Sequence, residues 1–159
     1  MIPSINNGDT SGLSENFGQA AHFYRFLKTE LLPFVGKKFK VNTNNNSLIG
    51  HSFGGLFVFY WLFKNEDIFR HYYALSPSLW INNYDIYKFN KLYTGAVPRT
   101  LYFSADGLEV INFIKPGADR MKSFLDSHQY KNLQYRYQVH KGESHNSQVE
   151  KSLSFILAE

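Results

Sequence analysis

Gly50-His51-Ser52-Phe53-Gly54-Gly55 decides the fold of this chain. It follows the short apolar run Ser47-Leu48-Ile49 and opens the run Leu56-Phe57-Val58-Phe59-Tyr60-Trp61-Leu62-Phe63. A strand, a sharp Gly-x-Ser-x-Gly turn and a buried helix are the parts of a nucleophile elbow. The serine is expected at strained backbone angles, with its hydroxyl projecting from the sheet edge. A side chain at Gly50 or at Gly54 is expected to collide with the neighbouring strand or helix. Phe53, next after the serine, would offer its main-chain N–H at the helix N-terminus as one oxyanion donor.

Working outward, the 159 residues suffice for one domain with a substantial core, read as a single unit over 1–159. Hydrophobic residues at 43% and aromatics at 18% argue against disorder. The formal net charge of +4 could suit an anionic partner, but the basic residues are scattered. Their one cluster, Lys37, Lys38 and Lys40, reads as a solvated helix end, and no nucleic-acid partner is expected. The absence of cysteine excludes disulfides, thiolate nucleophiles and cysteine metal sites, and it leaves the compartment open. No apolar run reaches the roughly 18 residues of a membrane-spanning helix, so no membrane partner is expected. Residues 1–9 show neither the basic nor the apolar region of a signal peptide.

Residues 1–18 read as a polar loop. Ala20, Phe23, Phe26, Leu27, Leu31 and Leu32 recur at helical spacing over 19–34, with Pro33 and Gly36 closing that helix. After the elbow strand and its helix, 71–76 reads as a second buried strand, 100–104 as a third and 133–139 as a fourth. Helices are expected over 117–127 and 147–157, and an irregular aromatic stretch over 78–96. Strands separated by helices predict an α/β fold: a mostly parallel sheet with helices on both faces. Active residues of such a sheet gather in loops at the carboxyl ends of its strands.

A serine hydroxyl needs a base to take its proton, and the base needs an acid to hold its tautomer. With a Gly-x-Ser-x-Gly elbow the chain order is nucleophile, acid, histidine. Of six histidines, His140 and His145 alone follow the last strand. His145, in Gly142-Glu143-Ser144-His145-Asn146, is the better placed to return over the sheet edge. His51 adjoins Ser52 and is expected to point away from it. Asp106 and Glu109 share the loop after the third strand, and either could reach His145 Nδ1. Asp106, beside Gly107, also reads as a turn former; Asp85 is a more remote carboxylate. No metal-ligand spacing, phosphate-cradling loop or dinucleotide fingerprint occurs, so no cofactor or metal is expected.

These residues resemble the putative esterase family of α/β-hydrolases, in its enterochelin (siderophore) esterase-like branch. The resemblance rests on Phe26-Leu27-Lys28-Thr29-Glu30-Leu31-Leu32-Pro33-Phe34, on Leu48 to Leu56 and on Ala74-Leu75-Ser76-Pro77-Ser78-Leu79-Trp80, with Gly142-Glu143-Ser144-His145. It implies an α/β-hydrolase sheet and a Ser52–Glu109–His145 triad. Ser104-Ala105-Asp106-Gly107-Leu108-Glu109 departs from the family's acid stretch by placing Gly107 closer to the glutamate. It also implies strands ahead of residue 19 that this chain lacks. On that reading the chain is the C-terminal part of a hydrolase, and the exposed edge of its elbow strand invites self-association.

The expected activity is hydrolysis of carboxylic esters through an acyl-enzyme, with a siderophore-type lactone as the implied small-molecule substrate. An acyl-sugar or feruloyl ester is the rival within the same chemistry. Ser78 to Tyr93, rich in aromatics and headed by Trp80, is the candidate substrate wall; simple packing over the sheet edge is the alternative. A reading from another class is an α/β-hydrolase-like binding domain with weak or no turnover.

Overall fold

A computed structural model describes residues 19–91, 95–108, 113–128 and 130–158. The elbow strand forms β1 (Asn46–His51), followed by β2 (Phe69–Leu75), β3 (Arg99–Asp106) and β4 (Leu133–His140). They lie side by side in sequence order, every pair parallel. Each crossover therefore runs the length of the sheet and returns all four strand ends to one edge. In register, His51 lies beside Leu75, Leu75 beside Ser104 and Ser104 beside Gln138. Asp106 and His140 extend two residues beyond that row, as a pair.

Successive residues of a strand face opposite sides, which separates two layers of helices. Phe103 points to the side of α3 (Phe53–Lys64), its ring 5.6 Å from Phe59. On that side also lies α5 (Ile114–His128), where Asp119 accepts a hydrogen bond from Tyr137 of β4 at 2.7 Å. Tyr102 points to the other side and stacks on Phe155 of α6 (Gln148–Ile156) at 5.3 Å. This is the α/β-hydrolase type of sheet, covered on both faces. Among the described residues β1 is one edge, and Ile49 on it is exposed.

The elbow helix α3 is apolar all round because it is covered all round. Gly55 to Phe63 are all buried. Phe69 of β2 meets Trp61 from the sheet side at 4.8 Å. From outside, Phe23 meets Phe57 at 5.2 Å and Tyr24 meets Trp61 at 4.2 Å. Phe89 closes on Tyr60 at 5.2 Å. Each such ring contributes about 1.5–3 kcal/mol by leaving water. The helix that follows the serine is thus anchored from the sheet side and from outside.

The first helix differs from its sequence expectation. It begins as α1 (Ala20–Phe26), widens into a π turn (Leu27–Leu31) and continues as α2 (Leu32–Lys38), straight through Pro33 and Gly36. A proline ring clashes with the carbonyl four residues back in a regular helix. The π turn directly before it supplies the extra residue that relieves the clash. The aromatic stretch contains α4 (Ile81–Tyr84) and a 3-10 turn (Asp85–Phe89). Asn82, Asn83 and Tyr84 there have left-handed backbone, at φ 50°, 54° and 64°. Tyr93, residues 1–18 and Glu109 lie outside the described residues.

Candidate active site

Ser52 sits between β1 and α3 at φ 57°, ψ −115°, a conformation a side-chain-bearing residue rarely adopts. Strain of this kind costs about 1–3 kcal/mol and persists only where neighbours hold it. Here the end of β2 does so: Ser52 N–H donates to the Leu75 carbonyl at 2.9 Å, and Ser78 N–H donates to the Ser52 carbonyl at 3.1 Å. The serine hydroxyl shares a hydrogen bond with that of Ser78 at 3.2 Å. Ser78 itself is buried. The sequence marked Ser78 as part of a shared segment, with nothing to say that it touches the nucleophile.

The glycines carry different weight from the one expected. A Cβ on Gly50 would lie 2.3 Å from the Gly54 carbonyl oxygen, so that position admits glycine alone. A Cβ on Gly54 would meet nothing within 4 Å, contrary to expectation. The second tight position is Gly55, where a Cβ would lie 2.9 Å from Pro77 Cα. It lets the first turn of α3 abut the Ser-Pro-Ser segment.

His145 stands in the loop between β4 and α6. The β3 side of that loop is tied down by Gly107 and Leu108, whose N–H groups donate to the Glu143 carbonyl at 3.2 and 3.1 Å. Within the loop Ser144 N–H donates to Ser147 Oγ at 2.9 Å, and Ser147 Oγ donates to the Glu143 carboxylate at 2.6 Å. From the elbow, His51 Nε2 lies 2.9 Å from the His145 carbonyl oxygen. That oxygen can only accept, so Nε2 carries the proton. The two imidazoles lie 4.5 Å apart, tilted by 40°. His51 thus points toward the loop, a role its position beside Ser52 did not announce.

Burial holds the His145 pKa below its ordinary 6.5, and the neighbouring His51 lowers it further, while Asp106 works in the opposite sense. Its Nδ1 is buried without a hydrogen bond. Asp106, the last residue of β3, is fully buried, and neither carboxylate oxygen has a hydrogen-bond partner. The local turn bonds expected of an aspartate beside glycine are not made. Gly107 instead packs against the start of the histidine loop, where a Cβ would lie 2.6 Å from Lys141 Cα. That close approach brings the end of β3 beside the loop carrying His145.

His140, the other histidine after the last strand, turns under the sheet edge to Tyr102 and Ser152. Asp85 pairs with Lys88 at 2.5 Å. Phe53 opens α3, which puts its main-chain N–H at the positive end of the helix dipole. Trp80 is partly buried, its ring 5.5 Å from that of the exposed Phe113. Among the described residues no group of acidic and histidine side chains could hold a metal ion. Nor, among them, is any helix long and apolar enough to cross a membrane.

The pattern that defines the Putative esterase family matches residues 6–154. The chain belongs to that family. Over 80 residues it is 40% identical to the siderophore enterobactin esterase of Emericella nidulans, a match covering 49% of this chain and 26% of that protein. Over 62 residues it is 37% identical to the ferri-bacillibactin esterase BesA of Bacillus subtilis, covering 39% and 22%. Among solved structures, the BES protein of Bacillus cereus superposes with a TM-score of 0.83 at 27% identity. That superposition covers 97% of this chain and 61% of the other. The siderophore hydrolase EstB of Aspergillus nidulans shares the fold, with a TM-score of 0.80. This member of the Putative esterase family thus spans about three fifths of those structures.

Proposed function

We propose that this chain carries the catalytic residues of a carboxylic ester hydrolase acting on siderophore-type lactones. Ser52 is its nucleophile, His145 its base and Asp106 the acid. The observation that carries the reading is Ser52 at φ 57°, at the junction of β1 with the buried helix α3.

Ser52 Oγ attacks the ester carbonyl as His145 takes its proton, and the Phe53 N–H receives the developing oxyanion. The alcohol leaves with the proton from His145, and water then releases the acyl group by the same route. Two orphaned groups support Asp106 as the acid: the buried Nδ1 of His145 and the buried carboxylate of Asp106, whose charge acts on that histidine. Buried polar atoms without partners are rare and cluster where chemistry is done. The resemblance points instead to Glu109. The siderophore substrate rests on what the relatives are named for, and Trp80 with Phe113 offers aromatic surface for a bulky acyl group.

Turnover of p-nitrophenyl acetate and of enterobactin by the chain and by Ser52→Ala tests the proposal. Loss of about 10³-fold or more in the variant is expected on both substrates. Equal rates would overturn the nucleophile, and a preference for feruloyl or acyl-sugar esters would overturn the substrate. The hydrogen bond that Ser52 Oγ shares with Ser78 favours a second reading, a binding domain with weak turnover. Saturable enterobactin binding without hydrolysis would establish that reading.

A further inference from the structure

The histidine beside the nucleophile has no part in the mechanism above, yet it spans 94 residues of sequence to reach the loop carrying the base. We propose that His51 is a positioning residue: its Nε2–H grips the His145 main chain, fixing the imidazole of the base over the elbow. The proposal rests on the reading of Ser52 and His145 as nucleophile and base.

Three observations converge on it. The first is the hydrogen bond itself, His51 Nε2–H to the His145 carbonyl at 2.9 Å. Its acceptor belongs to the very residue whose side chain must be aimed, so the bond sets the Cα from which the imidazole projects. The second is the contact between the two rings at 4.5 Å, which limits how far the His145 ring can swing toward β1. The third is the distribution of the other anchors. Among the described residues, the hydrogen bonds holding residues 142–147 otherwise come from Gly107 and Leu108, from His140, or from the loop and the start of α6. His51 ties the loop to the elbow.

The local geometry explains why this position suits the task. His51 is the last residue of β1, and the strand's alternation puts its side chain on the face of Ser47 and Ile49. Helix α3 covers the opposite face, so the His51 ring is free to reach the loop while Ser52 turns the other way into its strained angle. The nucleophile and the residue that grips the base are therefore consecutive in one turn. A base displaced by about 1 Å can lose roughly 10²-fold in rate.

Three variants separate the parts of the tie. His51→Gln places an amide N–H where Nε2 was and keeps the bond to the carbonyl. His51→Phe keeps a ring beside His145 and loses the donor. His51→Ala loses both. Expected for His51→Phe and His51→Ala is a fall in kcat of about 10–100-fold at nearly constant KM, with most of the rate restored in His51→Gln. The His145 imidazole is followed in parallel by NMR, its signal assigned by its loss in His145→Asn. In all three variants its titration moves up, because the neighbouring histidine that lowers it is gone while Asp106 remains. In His51→Phe and His51→Ala the amides of residues 143–147 also shift and exchange faster.

An imidazole signal, amide shifts and kcat in His51→Phe all equal to those of the parent would overturn the positioning role. The NMR readouts do not require turnover, so an inactive chain leaves them measurable. Ser52→Ala and His145→Asn assayed alongside show whether a failure belongs to this proposal or to the reading of the triad.

Discussion

His140 Nε2 lies 2.9 Å from the Tyr102 hydroxyl and 3.0 Å from that of Ser152, beneath the sheet edge and away from the serine. Ser152 passes the network on, with its Oγ 2.9 Å from Gln148 Oε1 and 3.1 Å from Ser104 Oγ. Ser104 Oγ donates to the same Gln148 oxygen at 2.8 Å. Ser104, Gln148 and Ser152 are fully buried. His140 and Gln148 are the residues that bound the loop carrying His145. Their side chains are joined through Ser152, so the network closes the loop at its base and docks α6 on the sheet.

Acid should loosen this closure. Burial holds the His140 pKa below its ordinary 6.5. The unfolded chain therefore binds a proton first as pH falls. The stabilisation is full above about 6.5, declines below it and levels off once pH passes the folded-state pKa. Thermal unfolding across pH 4.5–8 is expected to show Tm falling below about 6.5, with a shallower fall in His140→Gln. Parallel profiles for the two proteins would remove His140 from this role.

A lowered pKa at His145 has the same sign in catalysis. The base works only when neutral, so the acid limb of kcat/KM should lie below pH 6.5. Asp106 favours the protonated form of His145, so Asp106→Asn should move that limb to still lower pH. A limb at or above 6.5 in the parent would remove His145 as the group reported.

The acid itself is separated by two amide substitutions. Asp106→Asn is expected to lower kcat by about 10³-fold and Glu109→Gln by no more than a few-fold. The reverse pattern assigns the acid to Glu109.

The elbow glycines make the last contrast. Gly50→Ala puts a methyl group into the Gly54 carbonyl and should destabilise by about 1–3 kcal/mol or more, with turnover lost. Gly54→Ala meets open space in the first turn of α3 and should stabilise by about 0.4–1 kcal/mol. Chemical denaturation of the two variants checks both. Comparable destabilisation would mean that the elbow tolerates no side chain at either position.

The sequence by itself determined the elements that recur with a period. The alternation and apolar runs of β1 to β4, the amphipathic α6 and the uniformly apolar α3 all lie where their patterns place them. The strain at Ser52 was equally legible, because a serine between glycines at a strand–helix junction has little other use. Local signals failed where the answer depended on what came to lie opposite. Pro33 reads as a helix stop, and only a π turn just before it carries the helix onward to Lys38. Gly54 reads as obligatory, but the Pro77 backbone stands against Gly55 and nothing within 4 Å stands against a Cβ on Gly54. His140 and His145 are two similar histidines five residues apart. Ser104 and Ser152 draw one into a buried network, and His51 holds the backbone of the other over the elbow. Those partners lie 12 to 94 residues away in sequence, a separation that the parallel crossovers close and that no local pattern encodes.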